Sequence, residues 1–125
     1  MNDQEKATVL QEVQSCFNAY EIALNANNVD ALIGFFWDDP ASIRLGPDGG
    51  AYGYDEIAAF RRGRNVEDIE RDLTRVELTV LAADIVVATA EYQRKNSGRL
   101  GAQSQVWQKR GDTWRIISAH VSLRP

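Results

Sequence analysis

The hydrophobic pattern of this sequence changes its period near the middle of the chain. In residues 3–27, apolar side chains recur every three or four positions, which predicts an amphipathic helix. The apolar stripe of this helix consists of Val9, Val13, Cys16 or Phe17, Tyr20 and Leu24. From residue 72 onward, apolar and polar residues alternate, which predicts strands instead. A chain that places its helices first and its strands afterwards is typical of an α+β fold.

Two more helices and a short strand are predicted in the first half. Asn28 is expected to cap a second helix that runs from Val29 through Trp37. This helix should end at Asp38-Asp39-Pro40, because the residue before a proline is disfavoured in helical conformation. The elements that follow are a strand at 41–46, a glycine-rich turn at 46–50, an extended pair at 51–52 and a helix from about Tyr54 to Arg64.

Four long strands are predicted in the second half, at residues 72–82, 84–94, 102–110 and 113–123. Residues 85–88 are apolar on both faces, which is typical of a central strand. The last two strands are expected to form a hairpin closed by Arg110-Gly111-Asp112. We expect a curved antiparallel sheet wrapped around the helices, with a conical cavity between the helices and the concave face.

Composition and charge narrow the function classes. The 125 residues weigh 14.0 kDa and fit a single domain over residues 1–125. The net charge of −4 disfavours nonspecific binding to nucleic acids or acidic membranes, and no apolar run reaches the ~20 residues of a membrane span. The N-terminal residues lack the pattern of a signal peptide, so the expected location is cytoplasmic. Cys16 and His120 are the only cysteine and histidine, so we expect no disulfide, metal site or cofactor.

Four segments, in register along nearly the whole chain, together form a specific pattern. They are Phe17–Leu24 with Asn27–Val29, Leu32–Trp37 with Arg44 and Gly46, Tyr52–Ile57 with Phe60, Arg61 and Arg64, and Gln103–Trp107 with Trp114–Ser122. This pattern resembles the AtzH-like family, within the SnoaL-like, nuclear transport factor 2-like superfamily. The resemblance implies a cystatin-like α+β barrel, in which three N-terminal helices pack on a curved, mostly antiparallel sheet.

The resemblance also implies an activity. The family includes a protein of oxalurate catabolism, and its characterised reaction is decarboxylation of 1,3-dicarboxyurea to allophanate. The implied catalytic pair is Tyr20 on the first helix and Arg44 on the first strand. The family pattern Gly-Arg-Gln-Ser-Gln is broken here, because Ala102 stands at its second position. If the family's arginine touches substrate, the reaction differs in this protein.

The residues themselves leave two interpretations of Tyr20 and Arg44. Tyr20 lies on the apolar stripe of the first helix, so it is either a core tyrosine or a hydroxyl donor that lines the cavity. Arg44 is the only charge in its strand, and alternation places it on the face opposite Ile43 and Leu45. It is either solvent-exposed or directed into the cavity, where a guanidinium can hold a carboxylate with two parallel hydrogen bonds.

Five further residues are candidates for substrate binding, namely Arg61, Trp37, Gln103, Gln105 and His120. Arg61 follows Ile57 by four positions, so it is expected to turn inward, although basic residues at a helix end are usually solvated. The two glutamines share a strand face with Trp107, as in a mixed pocket wall. His120 is expected to share a face with Trp114, Ile116 and Ser118, either as an ordinary sheet histidine or as part of the pocket.

The leading hypothesis is a small, cofactor-free enzyme that decarboxylates a 1,3-dicarboxyurea-like compound or acts on a related small anion. Such a reaction needs a proton at nitrogen and no electron-sink cofactor. One alternative is a noncatalytic ligand-binding or accessory domain in ureide catabolism. Another is an isomerase or hydrolase, although the sequence offers few carboxylate bases for the cavity. A homodimer or higher symmetric oligomer is also expected, because the apolar residues 85–88 leave one sheet face uncovered by the helices.

Overall fold

The computed structural model describes residues 1–125 and contains three helices and six strands. The helices are α1 (Asp3–Asn25), α2 (Val29–Gly34) and α3 (Tyr54–Gly63); the strands are β1 (Ile43–Gly46), β2 (Gly49–Tyr52), β3 (Arg71–Ala82), β4 (Ile85–Arg94), β5 (Leu100–Arg110) and β6 (Thr113–Leu123). This element order confirms the α+β prediction. None of the helices is long and apolar enough to cross a bilayer.

The six strands form one sheet in the order β2-β1-β6-β5-β4-β3. Only the pairing of β1 with β6 is parallel, so the sheet is mostly antiparallel. Register shifts interrupt the β3–β4 ladder twice and the β5–β6 ladder once. Such irregularities bend strands and increase their twist, which favours the curled sheet that the helices fill.

Helix α1 supplies most of the helical contribution to the core. Its start is fixed by a capping box, in which Asn2 Oδ1 accepts from the Glu5 backbone at 2.8 Å and Glu5 accepts from the Asn2 backbone. The predicted stripe is confirmed, because its apolar residues pack into the core together with residues of the concave sheet face such as Trp107. Tyr20 belongs to this buried stripe, which places its ring in the core.

Helix α2 ends earlier than the sequence predicts. Asn28 caps it as expected, but the helix stops at Gly34 instead of continuing through Trp37. Beyond it, Phe36 forms an isolated parallel bridge with Ile116, and the Trp37 backbone amide donates to the Ile116 carbonyl at 3.0 Å. Backbone pairing with β6 thus competes successfully with the last turn of the predicted helix. Because glycine is a poor helix former, Gly34 lowers the free-energy cost of ending the helix at this point.

A β-bulge in β6 changes which residues of this strand face the cavity. Val106 pairs with Ser118, and Trp107 pairs with Ile116, so Ile117 has no partner on β5. Trp114 and Ile116 are buried on the concave face, whereas Ser118 and His120 are exposed on the outer face. The prediction that His120 shares a face with Trp114 is therefore wrong, because the extra residue shifts the alternation.

Candidate functional site

A narrow cavity lies where α1 and α3 meet the concave face of the sheet. Its polar wall includes Tyr20, Arg44, Arg61, Arg64, Arg71 and Gln103. Its volume available to water is about 20 Å³, in the range that holds about one ordered water molecule. A wider space of about 390 Å³ adjoins it and shares Pro47, Asp48, Arg64 and Arg94 with it. The shared residues form a neck between the inner cavity and the outer vestibule.

The Tyr20 hydroxyl reaches the cavity from the buried face of α1. The residue is only 2% exposed, and its ring packs edge-to-face against Phe35 with centroids 5.6 Å apart. Its oxygen accepts a hydrogen bond from Arg61 Nη2 at 2.5 Å. Because the oxygen acts as the acceptor in this contact, the hydroxyl proton is free to be donated to another group.

Arg44 reaches the same cavity from β1. It is 4% exposed, which agrees with the alternation that placed it opposite Ile43 and Leu45. Its guanidinium carbon lies 4.1 Å from the centroid of the Phe60 ring, and its buried Nε has no hydrogen-bond acceptor. Gly46 leaves room for this group, since a Cβ atom there would lie 2.6 Å from Arg44 Nη1.

Three guanidinium groups surround Phe60. The carbons of Arg64 and Arg61 lie 5.1 and 5.8 Å from the ring centroid, in addition to that of Arg44. None of the three takes part in an ion pair, although the chain carries a net negative charge. Cation–π contacts compensate only part of the desolvation of such groups. We call Arg44, Arg61 and Arg64 the guanidinium cluster.

The positions of Arg44 and Arg64 disfavour their charged forms. Burial, and after it the positive charge of Arg61, lowers the pKa of Arg44 to about 10. The same two causes, in the same order, lower the pKa of Arg64 to about 10. Both groups remain protonated at neutral pH, and the nearby Asp48 offsets only part of their charge, because it forms no ion pair with either. A bound anion would supply the missing negative charge and acceptors.

A second polar network fixes the orientation of Gln103. Arg71, which is 5% exposed, forms a buried ion pair with Glu21 and donates from Nη2 to Gln103 Oε1 at 3.0 Å. Burial alone lowers the pKa of Arg71, but the hydrogen bonds and charge of Glu21 outweigh it and raise the pKa. Since a guanidinium can only donate, the Gln103 carbonyl must face Arg71. The Gln103 amide nitrogen, which is buried without an acceptor, is therefore the group left to bind a ligand.

The structure brings some of the predicted site residues together and separates others. Tyr20, Arg44, Arg61 and Gln103 line one cavity. Gln105 is fully buried on the same sheet face, but it accepts from Trp107 Nε1 at 3.0 Å and does not line the cavity.

Two predicted substrate-binding residues lie outside the cavity. Trp37 is half-buried beneath the Arg110 guanidinium, 4.1 Å from the ring centroid, because the early end of α2 turns this segment along β6. His120 is exposed on the outer sheet face, because the bulge at Ile117 reverses its direction. Neither side chain lines the cavity, so neither is placed to touch a substrate bound there.

Sequence reasoning missed three residues of the site as binding candidates, Phe60, Arg64 and Arg71, and it considered Glu21 only as a possible carboxylate base. Arg64 carried a usable signal, since it follows Ile57 by seven positions and Arg61 by three, which places all three on one helical face. The pairing of Arg71 with Glu21 carried no local signal, because 50 residues separate the two partners.

The departure at Ala102 lies away from the cavity. Ala102 is exposed, and it pairs with Glu91 and Ser122 on the neighbouring strands. Its neighbour Gln103 is the residue that points inward. An arginine at position 102 would extend from the outer sheet face, so its absence leaves the cavity wall unchanged.

Comparison with known proteins identifies the family and agrees with the fold. The family model described as AtzH-like matches residues 2–125. A structure of a protein of unknown function from Pectobacterium atrosepticum, from the DUF3225 family, is 39% identical, with a TM-score of 0.90 over 95% of this chain and 93% of that one. A cystatin-like fold protein from Burkholderia xenovorans is 31% identical, with a TM-score of 0.86 over 94% and 95% of the two chains.

A more distant similarity concerns the fold alone. Hexachlorocyclohexane dehydrochlorinase LinA-type3 from Novosphingobium barchaimii is 13% identical, with a TM-score of 0.76 over 99% of this chain and 92% of that one. No match was found among curated proteins. The neighbours confirm the predicted cystatin-like, nuclear transport factor 2-like fold, and at least one protein with this fold is an enzyme.

Proposed function

Because this chain belongs to the AtzH-like family, we propose that it is a cofactor-free enzyme that removes CO2 from a carboxylated urea of the 1,3-dicarboxyurea type. The observation that carries the proposal is the guanidinium cluster, which lies beside the Tyr20 hydroxyl without a carboxylate partner. A small, planar anion rich in carboxylate and carbonyl oxygens matches this set of donors. Because the inner cavity alone holds about one water molecule, such an anion would extend through the neck into the vestibule.

Tyr20 is the proposed proton donor. The carbon–nitrogen bond to the departing carboxylate breaks, its electron pair stays on nitrogen, and Tyr20 delivers a proton to that nitrogen while CO2 leaves. The positive charge of Arg61, 2.5 Å from the phenol oxygen, stabilises the negative charge that this oxygen gains. A proton from water then restores the hydroxyl, so the reaction consumes one proton for each CO2 released.

Arg44 is proposed to hold the carboxylate that remains in the product, or the urea carbonyl. A cation on the departing carboxylate would stabilise the substrate more than the transition state, because negative charge leaves that group as CO2 forms. A cation on the retained end keeps its contact throughout the reaction. The free Gln103 amide nitrogen is a second donor suited to the urea carbonyl.

An isomerase or hydrolase that depends on a carboxylate base is less well supported. The buried Glu21 is committed to the ion pair with Arg71. Asp48 lines the neck, where it faces the positive charges of Arg44 and Arg64. A noncatalytic anion-binding or accessory domain is the remaining alternative, and it differs from the proposal in releasing no CO2.

The test is a panel of dicarboxyurea, allophanate, oxalurate and related ureido acids, scored for CO2 release. We expect release from the dicarboxylated urea, unchanged after prolonged chelation, and lost in Tyr20→Phe. Tyr52→Phe is the matched control, because Tyr52 is 59% exposed and does not line the cavity. Binding without CO2 release from any compound would favour the noncatalytic alternative. Loss of turnover on chelation, restored by added metal, would contradict the cofactor-free mechanism.

A further inference from the structure

Arg64 occupies the neck of the site, and its position has a consequence for substrate choice. Building on the proposed function, we propose that Arg64 selects substrates with two carboxylates by binding the carboxylate that leaves as CO2. Arg64 lines both the inner cavity and the vestibule, so it contacts whatever extends from one space into the other. It is half-buried, and its Nε atom is buried without an acceptor.

Three carboxylates line the neck and the vestibule, those of Asp48, Glu67 and Asp68, and none of them forms an ion pair with Arg64. Asp68, which also lines the vestibule, is paired with Arg94 at 3.4 Å and accepts from the Ser97 backbone at 3.0 Å. Asp48 lies close enough to raise the pKa of Arg64 slightly against burial, yet it forms no ion pair. The protein thus leaves the Nε atom of Arg64 without an acceptor, and a ligand carboxylate that reaches the neck can serve as one.

Two cations without ion-pair partners beside one ring favour a dianion. The guanidinium carbons of Arg44 and Arg64 lie 4.1 and 5.1 Å from the centroid of the Phe60 ring, and both residues line the inner cavity. A monocarboxylate bound at Arg44 leaves the charge of Arg64 uncompensated at the neck. A molecule with a carboxylate at each end compensates both cations, and the excess affinity depends on Arg64.

This assignment separates the roles of Arg44 and Arg64 in turnover. The contact with Arg64 is lost when CO2 forms, so it strengthens substrate binding without lowering the chemical barrier. The product keeps one carboxylate and binds more weakly, which favours its release. Removal of the Arg64 guanidinium should therefore raise KM without lowering kcat. A change at Arg44 should lower kcat if Arg44 holds the urea carbonyl, because the electron pair left on nitrogen delocalises onto that oxygen in the transition state.

The test uses two unreactive probes, glutarate and butyrate, in titration calorimetry with the intact protein. Glutarate has the spacing between carboxylates of 1,3-dicarboxyurea, and butyrate is glutarate with one carboxylate removed. The variant is Arg64→Gln, and the matched control is Arg62→Gln, which removes an exposed arginine of the same helix that lines no cavity. Because neither probe reacts, the result does not depend on decarboxylation.

We expect Arg64→Gln to weaken glutarate binding about 10–100-fold, as for loss of a charge-assisted hydrogen bond, while butyrate binding changes little. Arg62→Gln should leave both affinities unchanged. Equal losses for the two probes, or no loss for glutarate, would overturn the inference, as would failure of the wild-type protein to prefer glutarate over butyrate. If the protein shows this preference but releases no CO2 from any compound, the inference about Arg64 stands and the proposed reaction is contradicted.

Discussion

The phenol oxygen of Tyr20 and Nη2 of Arg61 lie 2.5 Å apart, and this hydrogen bond joins α1 to α3 across the mouth of the sheet. It is the only hydrogen bond that the Arg61 side chain makes, since its Nε and Nη1 atoms are buried without acceptors. The contact therefore has two roles, because it orients the proposed proton donor and satisfies a buried cation.

Tyr20→Phe is expected to reduce turnover about 10²–10⁴-fold, the usual effect of losing a positioned general acid. The ring and its packing against Phe35 remain, but Arg61 loses its acceptor, so the free energy of unfolding should fall by about 1–3 kcal/mol. Rates of CO2 release and denaturant unfolding measure the two effects. Near-wild-type turnover in a folded variant would remove Tyr20 from the mechanism.

Arg44→Lys is expected to lose most activity, because an ammonium keeps the charge but cannot form two parallel hydrogen bonds to a carboxylate. Combined with Tyr20→Phe, the loss should be less than the product of the single losses, because both groups act on one bound substrate. Single-turnover rates for the four proteins of this cycle provide the measurement. Independent, multiplicative losses would mean that the two residues do not act together.

Arg44→Met is expected to stabilise the fold while abolishing anion binding. Folding lowers the pKa of Arg44 from 12.5 to about 10, so the charged guanidinium destabilises the folded protein, with its full effect at every pH below about 10. Replacing a buried charge by an apolar side chain is then worth about 1–3 kcal/mol, which exceeds the lost contact with Phe60. Thermal unfolding in a buffer without carboxylates should show a higher Tm for the variant. Added glutarate should raise the Tm of the wild-type protein only.

Glutarate affinity should be constant from neutral pH to about pH 9 and fall above pH 10. The pKa values of Arg44 and Arg64 are lowered to about 10, so both groups lose their protons in that range. A bound anion favours the protonated forms, and binding above pH 10 should therefore take up protons. Calorimetry in buffers of different ionisation enthalpy detects this uptake, with circular dichroism to show that the protein stays folded. A pH-independent affinity up to pH 11 would contradict the role of the guanidinium cluster.

Glu21→Gln is expected to destabilise the protein by about 3–5 kcal/mol, because it leaves the buried Arg71 without its counter-charge. The matched control is Glu77→Gln, which breaks the exposed contact with Arg75 and should have no measurable effect. Denaturant unfolding compares the two variants. Equal stability of both would mean that the Arg71–Glu21 pair does not hold α1 to the sheet.

We also propose that two copies of the chain associate through the outer sheet face. Val87 and Val106 are direct neighbours on this face and only half-buried in one chain. Sedimentation at micromolar concentration should give at least twice the monomer mass of 14.0 kDa. Val106→Glu should shift the mass to that of the monomer, since a like charge from each copy would meet at the contact. A wild-type mass of 14.0 kDa would contradict the proposal.

The parts of the site that follow from local periodicity could be predicted from the sequence. The helical stripe placed Tyr20 in the core, and strand alternation placed Arg44 and Gln103 on the inner face. The errors arose where tertiary contacts override the local pattern. The position of Trp37 is set by the backbone bridge between its neighbour Phe36 and Ile116. The direction of His120 is set by the one residue of β6 that has no partner on β5. Neither event leaves a local periodic signal.

The bulge at Ile117 shifts the alternation of inward-facing and outward-facing residues along β6 by one position. Up to Ile116 the even-numbered residues face the cavity side, and beyond Ile117 the odd-numbered residues do so. Loss of the bulge without a change in length would bring Ser118 and His120 to the inner face and turn Ala119 and Val121 outward, whereas deletion of Ile117 would leave all four on their present faces. A relative of the same length that lacks the bulge would thus display a different interior from an almost identical strand. An alignment of the two sequences through β6 would match residues that face opposite sides of the sheet.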